Sequence, residues 1–137
     1  TISVIRLDDK SSQTISTGGK PELVHANHDR TRLFISNFLL NKVHVLDTRR
    51  DAIVHEITGL DGPEEAVLSP EEERLYVVNF NRSLVYVYDA RTFEKLPETY
   101  RVGNKPIGVA PAGKSGKLYI SNYGDNSVSV VALSSTP

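Results

Sequence analysis

The chain has 137 residues, 16 of them basic and 17 acidic, giving a formal net charge of −1. That balance, with neither sign gathered into a long block, argues against a nucleic-acid surface, and no apolar run is long enough to span a bilayer. The absence of cysteine removes disulfides, thiolate metal sites and cysteine nucleophiles together.

In chain order, the first expected strands are Ile2-Ser3-Val4-Ile5 and Gln13 to Thr17. Four more follow as Leu23 to Ala26, Leu33 to Ser36, Val43 to Leu46 and Ile53 to Ile57. The next four are clearest. Asp61-Gly62-Pro63 introduces Ala66-Val67-Leu68, and the turn-rich Ser69-Pro70-Glu71-Glu72-Glu73 leads to Leu75-Tyr76-Val77-Val78. Asn79, Asn81 and Ser83 interrupt it before Leu84-Val85-Tyr86-Val87-Tyr88, and a weaker segment runs from Leu96 to Val102. The last three are Ile107 to Ala110, Leu118 to Ser121 and Val128 to Val131. Short β-branched and aromatic runs between turn residues predict strands, and no stretch keeps a helical period.

The segments repeat. Leu33-Phe34-Ile35-Ser36-Asn37-Phe38, Leu75-Tyr76-Val77-Val78-Asn79-Phe80 and Leu118-Tyr119-Ile120-Ser121-Asn122-Tyr123 are one phrase, spaced by 42 and then 43 positions. A four-stranded antiparallel meander of ~40–45 residues, repeated, predicts an all-β chain of β-propeller blades. The expected divisions are residues 1–20 as the last strands of a preceding blade, 21–62 and 63–105 as blades, and 106–137 as a blade without its outer strand. Closed propellers have ~4–8 blades, so about three predict a larger ring or one closed by further copies of the chain. The chain begins at Thr1 and holds no methionine, and a cut inside a longer protein is the favoured explanation.

Pro63, Pro70, Leu75-Tyr76-Val77-Val78-Asn79 and Val85-Tyr86-Val87-Tyr88-Asp89 together resemble the YVTN repeat. The first copy has His28 in place of the second proline, and the third has Ala132 where the aspartate falls. The resemblance implies a kinship with archaeal surface-layer proteins and bacterial periplasmic or secreted propellers, and hence an extracytoplasmic place. Lactonases and parts of redox enzymes have similar propellers, so a propeller enzyme and a structural surface-layer module stand as alternatives to a binding scaffold.

Two motifs are set aside. Gly108-Val109-Ala110-Pro111-Ala112-Gly113-Lys114-Ser115 spells a phosphate-binding loop, but a strand and not a helix is expected after it, which removes the mechanism. His25 and His28 lie three apart, on opposite faces of a strand, a poor chelating pair.

Positions that recur serve the fold, so Asn37, Asn79 and Asn122 are read as structural residues that bond the following turn and tolerate a left-handed backbone. Function is expected where the copies differ, on loops sharing one face around the channel mouth. Those positions are Leu39, Leu40, Arg82 and Asp125 between second and third strands, and Lys20, Glu22, Glu64 and Lys105 at the entry to first strands. Exposed leucines ringed by charges of both signs suit a protein or a small polar ligand. No catalytic residue, metal or cofactor is assigned. The expected partners are that ligand and the remaining blades.

Overall fold

The computed structural model describes residues 1–133. Thirteen strands form antiparallel sheets. The strands β1 (Ile2–Ile5) and β2 (Ser12–Ile15) make a two-stranded hairpin. The first full meander runs β3 (Pro21–Ala26), β4 (Arg32–Asn37), β5 (Lys42–Asp47) and β6 (Ala52–Ile57). The second runs β7 (Pro63–Leu68), β8 (Arg74–Asn79), β9 (Leu84–Asp89) and β10 (Lys95–Arg101). The third comprises β11 (Pro106–Ala112), β12 (Lys117–Asn122) and β13 (Ser127–Ala132). Within each sheet, each strand pairs with its neighbour in sequence.

The strands are apolar on both faces because each central sheet lies between two others. Leu75 and Val77 of β8 face the β3–β6 sheet and pack with Phe34, Val43 and Val45. Tyr76 and Val78 of the same strand face the β11–β13 sheet and pack with Val109, Leu118 and Ile120. The core is therefore two seams rather than one centre, and successive sheets share no backbone ladder. Burial of these side chains, at roughly 1.5–3 kcal/mol each, holds neighbouring sheets together.

The last sheet has one uncovered side. Tyr119, Val128 and Val130 are 40%, 62% and 55% exposed, whereas their equivalents Tyr76, Val85 and Val87 are 4%, 0% and 1% exposed. The repeat makes this flank a seam surface without its neighbour.

Each inner strand carries the same irregularity. Pro21 pairs with Asn37 and Val24 with Ile35, so Glu22 and Leu23 together oppose Ser36. Glu64 and Glu65 oppose Val78 in the second meander, and Ile107 and Gly108 oppose Ser121 in the third. Such a bulge releases a backbone N–H from the ladder. Ser36 Oγ accepts it from Leu23 at 3.2 Å, and Ser121 Oγ from Gly108 at 3.0 Å. In the phosphate-loop lookalike, Gly113–Ser115 form one 3-10 turn between two strands, so no helix N-terminus points at an anion. No helix among the described residues is long and apolar enough to cross a membrane.

Candidate functional site

The recurring asparagines end β4, β8 and β12 and are buried. Immediately after each, the chain meets the segment entering the inner strand. Phe38 N–H donates to Lys20 C=O (3.0 Å), Phe80 N–H to Gly62 C=O (2.9 Å) and Tyr123 N–H to Lys105 C=O (2.9 Å). These bonds put the 38–41, 80–83 and 123–126 loops and the three entry segments on one face. The asparagine side chains strengthen the junction in different ways. Asn37 Oδ1 accepts from Lys20 N (2.8 Å) and Leu40 N (3.2 Å), and its Nδ2 donates to Gly18 C=O at 2.9 Å. Asn79 Oδ1 accepts from Asp61 N at 3.0 Å. Asn122 Nδ2 donates to the hydroxyls of Ser127 (3.1 Å) and Ser129 (2.9 Å).

Their backbones are not left-handed. The positive φ falls four residues later, at Asn41 (54°), Ser83 (55°) and Asn126 (53°). A four-residue loop closes the hairpin by turning over at its last residue, so the strained conformation sits at the loop's exit and not at the asparagine.

Lys20, Glu22 and Glu64 come together. Lys20 Nζ lies 2.6 Å from Glu22 Oε1 and 5.5 Å from the centre of the Phe38 ring. The Glu22 carboxylate holds the Lys20 ammonium above its usual range. Glu64 occupies the equivalent bulge position on the next inner strand, and its pKa is pushed up to about 7. Burial of the carboxyl is the larger cause, and the adjacent Glu22 carboxyl is the next; Lys20 opposes both. The arrangement is one ammonium beside two carboxyls from neighbouring sheets, with a proton on Glu64 near neutrality.

The loop residues divide. Leu39 is 67% exposed and Leu40 39% exposed, and Leu40 lies over the entry segment at Gly19. Arg82 is engaged within its own meander, with Nε 3.3 Å from Asp61 Oδ2 and Nη1 3.2 Å from Tyr86 Oη. Asp125 is likewise occupied, accepting from Asn104 N at 2.9 Å and from the Ser127 hydroxyl. Neither bonds to the Lys20–Glu22–Glu64 group. Lys105 shares a hollow on the open flank with Ile107, Tyr123 and Val128. The aromatic residues that follow the asparagines bridge sheets: Phe38 and Phe80 meet edge to face at 5.7 Å.

Three participants carry no signal in the repeats. Asp61 organises the 80–83 loop by accepting from Asn81 Nδ2 (2.9 Å) and Arg82. Glu65 ties one inner strand to the next by accepting from Val109 N at 2.8 Å. His44, 2% exposed, stands among the apolar residues of β5 where the other copies have Tyr86 and Ser129. A histidine at an inward position of an alternating strand is the one hint of its role. Among the described residues, no three His, Asp or Glu side chains gather in a way that could hold a metal ion.

The stacked four-stranded meanders are those of a β-propeller. The same fold is found in hydrazine synthase of Kuenenia stuttgartiensis, with a TM-score of 0.77 and 24% identity, over 88% of this chain and 35% of that one. A putative 6-phosphogluconolactonase of Bacteroides fragilis aligns with a TM-score of 0.75 and 15% identity, over 93% of this chain and 42% of its own. The RRP9 WD40 repeats align at 0.68 and 13% identity, over 85% and 40%. In sequence, the chain is similar to Antigen Lp49 of Leptospira interrogans, 24% identical in an alignment of 136 positions that covers 89% of this chain and 30% of the antigen. The chain thus spans between 30% and 42% of the length of these proteins. No family model matches it.

Proposed function

We propose that the chain is part of a non-catalytic propeller scaffold that binds a protein or a small polar ligand on the face formed by its entry segments and 38–41, 80–83 and 123–126 loops. The observation that carries this reading is a contrast. The same backbone bond anchors each loop to its entry segment, yet no side chain presented there is common to all three copies: Gly62 stands against Lys20 and Lys105, and Ile107 against Glu22 and Glu64. The anchored frame serves the fold, and the variable groups on it, Lys20, Glu22, Glu64, Leu39, Leu40 and Lys105, supply recognition. Arg82 and Asp125 contribute by shaping their loops, since both are already hydrogen-bonded.

In the same reading, residues 1–20 close a preceding blade, 21–62 and 63–105 are whole blades, and 106–137 begin one whose outer strand lies elsewhere. The exposed flank at Tyr119, Val128 and Val130 supports further blades as partners. The YVTN-like phrase and the similarity to a Leptospira antigen support a place outside the cytoplasm, which fractionation of the source cell would test. A second reading, a propeller enzyme, draws support from Glu64, because a carboxyl pushed up to about 7 by burial and a neighbouring carboxyl can pass a proton near neutrality.

A photo-crosslinking residue at Leu39, installed in the intact protein, should capture a partner that the same residue at Lys114 does not. Leu39→Asp and Lys105→Glu should each weaken binding of that partner, while Lys114→Glu leaves it unchanged. Equal loss from Lys114→Glu would put the working surface on the other side of the ring.

A further inference from the structure

One copy of the junction is wired differently from the others. Asn37 Oδ1 receives two backbone N–H groups, from Lys20 and Leu40, so the amide cannot turn over without setting its NH2 against both donors. Its Nδ2 is therefore fixed as a donor, to Gly18 C=O at 2.9 Å and to His44 Nε2 at 3.2 Å. His44 can accept that bond only as the neutral tautomer protonated on Nδ1. Nδ1 lies 3.5 Å from Glu56 Oε2 without a hydrogen bond, and the same carboxylate oxygen accepts from Lys42 Nζ at 2.8 Å. A second proton on the ring would place N–H against N–H at Nε2, in a site open to almost no solvent.

The other copies avoid this conflict. Ser129 occupies the equivalent place in the third sheet, and its hydroxyl, which accepts from Asn122, is itself not a titrating group. Tyr86, in the second, turns its hydroxyl to Arg82.

We propose that His44 is a proton-operated latch on the mouth of this propeller: neutral, it locks Asn37 and through it the 18–20 entry segment and the 38–41 loop; protonated, it releases both. The segments it controls carry Lys20, Leu39 and Leu40, so the latch regulates the binding face proposed above, and its value to the protein rests on that reading. The groups facing His44 are Glu56 on β6, which favours the charged ring, and Lys42 on β5, which opposes it. The strands of the neighbouring β1–β2 hairpin contain no charged residue, and Lys20 on the entry segment is turned to Glu22. Burial holds the imidazole below its ordinary pKa, so release falls on the acid side of neutrality.

The test needs no ligand. Nitrogen-15 histidine spectra of the intact protein should show His44 as the Nδ1–H tautomer at pH 7.5 and report its protonation as pH falls. Hydrogen exchange of segments 18–20 and 38–41, corrected for intrinsic rates, should speed up about tenfold across that titration, the factor expected for losing one or two hydrogen bonds. His44→Gln, whose side-chain oxygen accepts at any pH, and His44→Ser, which copies the third sheet, should both abolish the change. Glu64→Gln should leave it in place, which separates the latch from the carboxyl pair on the same face. An Nε2–H tautomer at pH 7.5, a ring that stays neutral down to pH 4.5, loops that ignore its titration, or variants that keep the pH response would each overturn the proposal. If the loops respond but no partner of the mouth is captured, the latch stands and the binding face does not.

Discussion

Replacing each recurring asparagine by alanine should give three different losses of stability, ordered by what each amide holds. Asn37→Ala removes the acceptor of Lys20 N–H and Leu40 N–H and the donor to Gly18 C=O. At about 1 kcal/mol net per bond, and with water recovering part of the loss at the entry segment, the cost is about 2–3 kcal/mol. Asn79→Ala strands one well-placed donor, Asp61 N–H, and should cost about 1–2 kcal/mol. Asn122 donates to two serine oxygens that each keep another partner, Asp125 for Ser127 and Gly103 N–H for Ser129, and its Oδ1 has no partner, so its loss should cost about 1 kcal/mol or less. The three substitutions share residue types and strand position, so their effects on the unfolded chain cancel in the comparison. Urea unfolding of the three variants, with a common slope and different midpoints, measures the order. Losses equal within about 0.5 kcal/mol, about half of one such bond, or the largest loss at Asn122, would show that hydrogen bonds at this junction do not set its strength.

Glu64 gives a pH prediction. Its carboxyl binds a proton up to about pH 7 when folded and titrates near 4.5 when free, so the folded chain carries the extra proton between those values. Stability should therefore be fully present below pH 4.5 and fall as pH rises through about 7. Glu64→Gln should flatten that slope in melting curves, and an unchanged slope would remove the carboxyl pair as its cause. Gly62 has φ 64°, and an added Cβ would stand 2.9 Å from Phe38 Cε2 and 2.7 Å from Asn81 Nδ2, whereas at Gly59, with φ 78°, it would meet nothing. Both alanine substitutions pay about 1 kcal/mol of backbone strain, and only Gly62→Ala should also disturb the Phe38–Phe80 contact, lowering the midpoint of unfolding further than Gly59→Ala does.

The repeated phrase made the architecture legible because its causes are local: alternating apolar residues, a closing asparagine and turn residues at a fixed period. The shared face of the loops came from analogy with other propellers. What could not be read depends on contacts distant in sequence. Arg82 looks like a free cation in its loop, and only folding brings Asp61 and Tyr86 to it. His44 has no partner nearby in the chain, since Asn37 and Glu56 reach it across β4 and β6. The bulges leave no trace either: a proline marks the start of each inner strand, but the extra residue after it is visible only when the strand is laid against its neighbour.

Those bulges have a consequence for how such a protein can change. Two residues per meander, Glu22-Leu23, Glu64-Glu65 and Ile107-Gly108, sit where pairing has already been interrupted. A substitution there does not shift the register of the strand or turn its core residues outward. The frame and the lettering are thus separable: a lineage can rewrite the bulge residues one meander at a time while the asparagine junctions hold each loop to its entry segment.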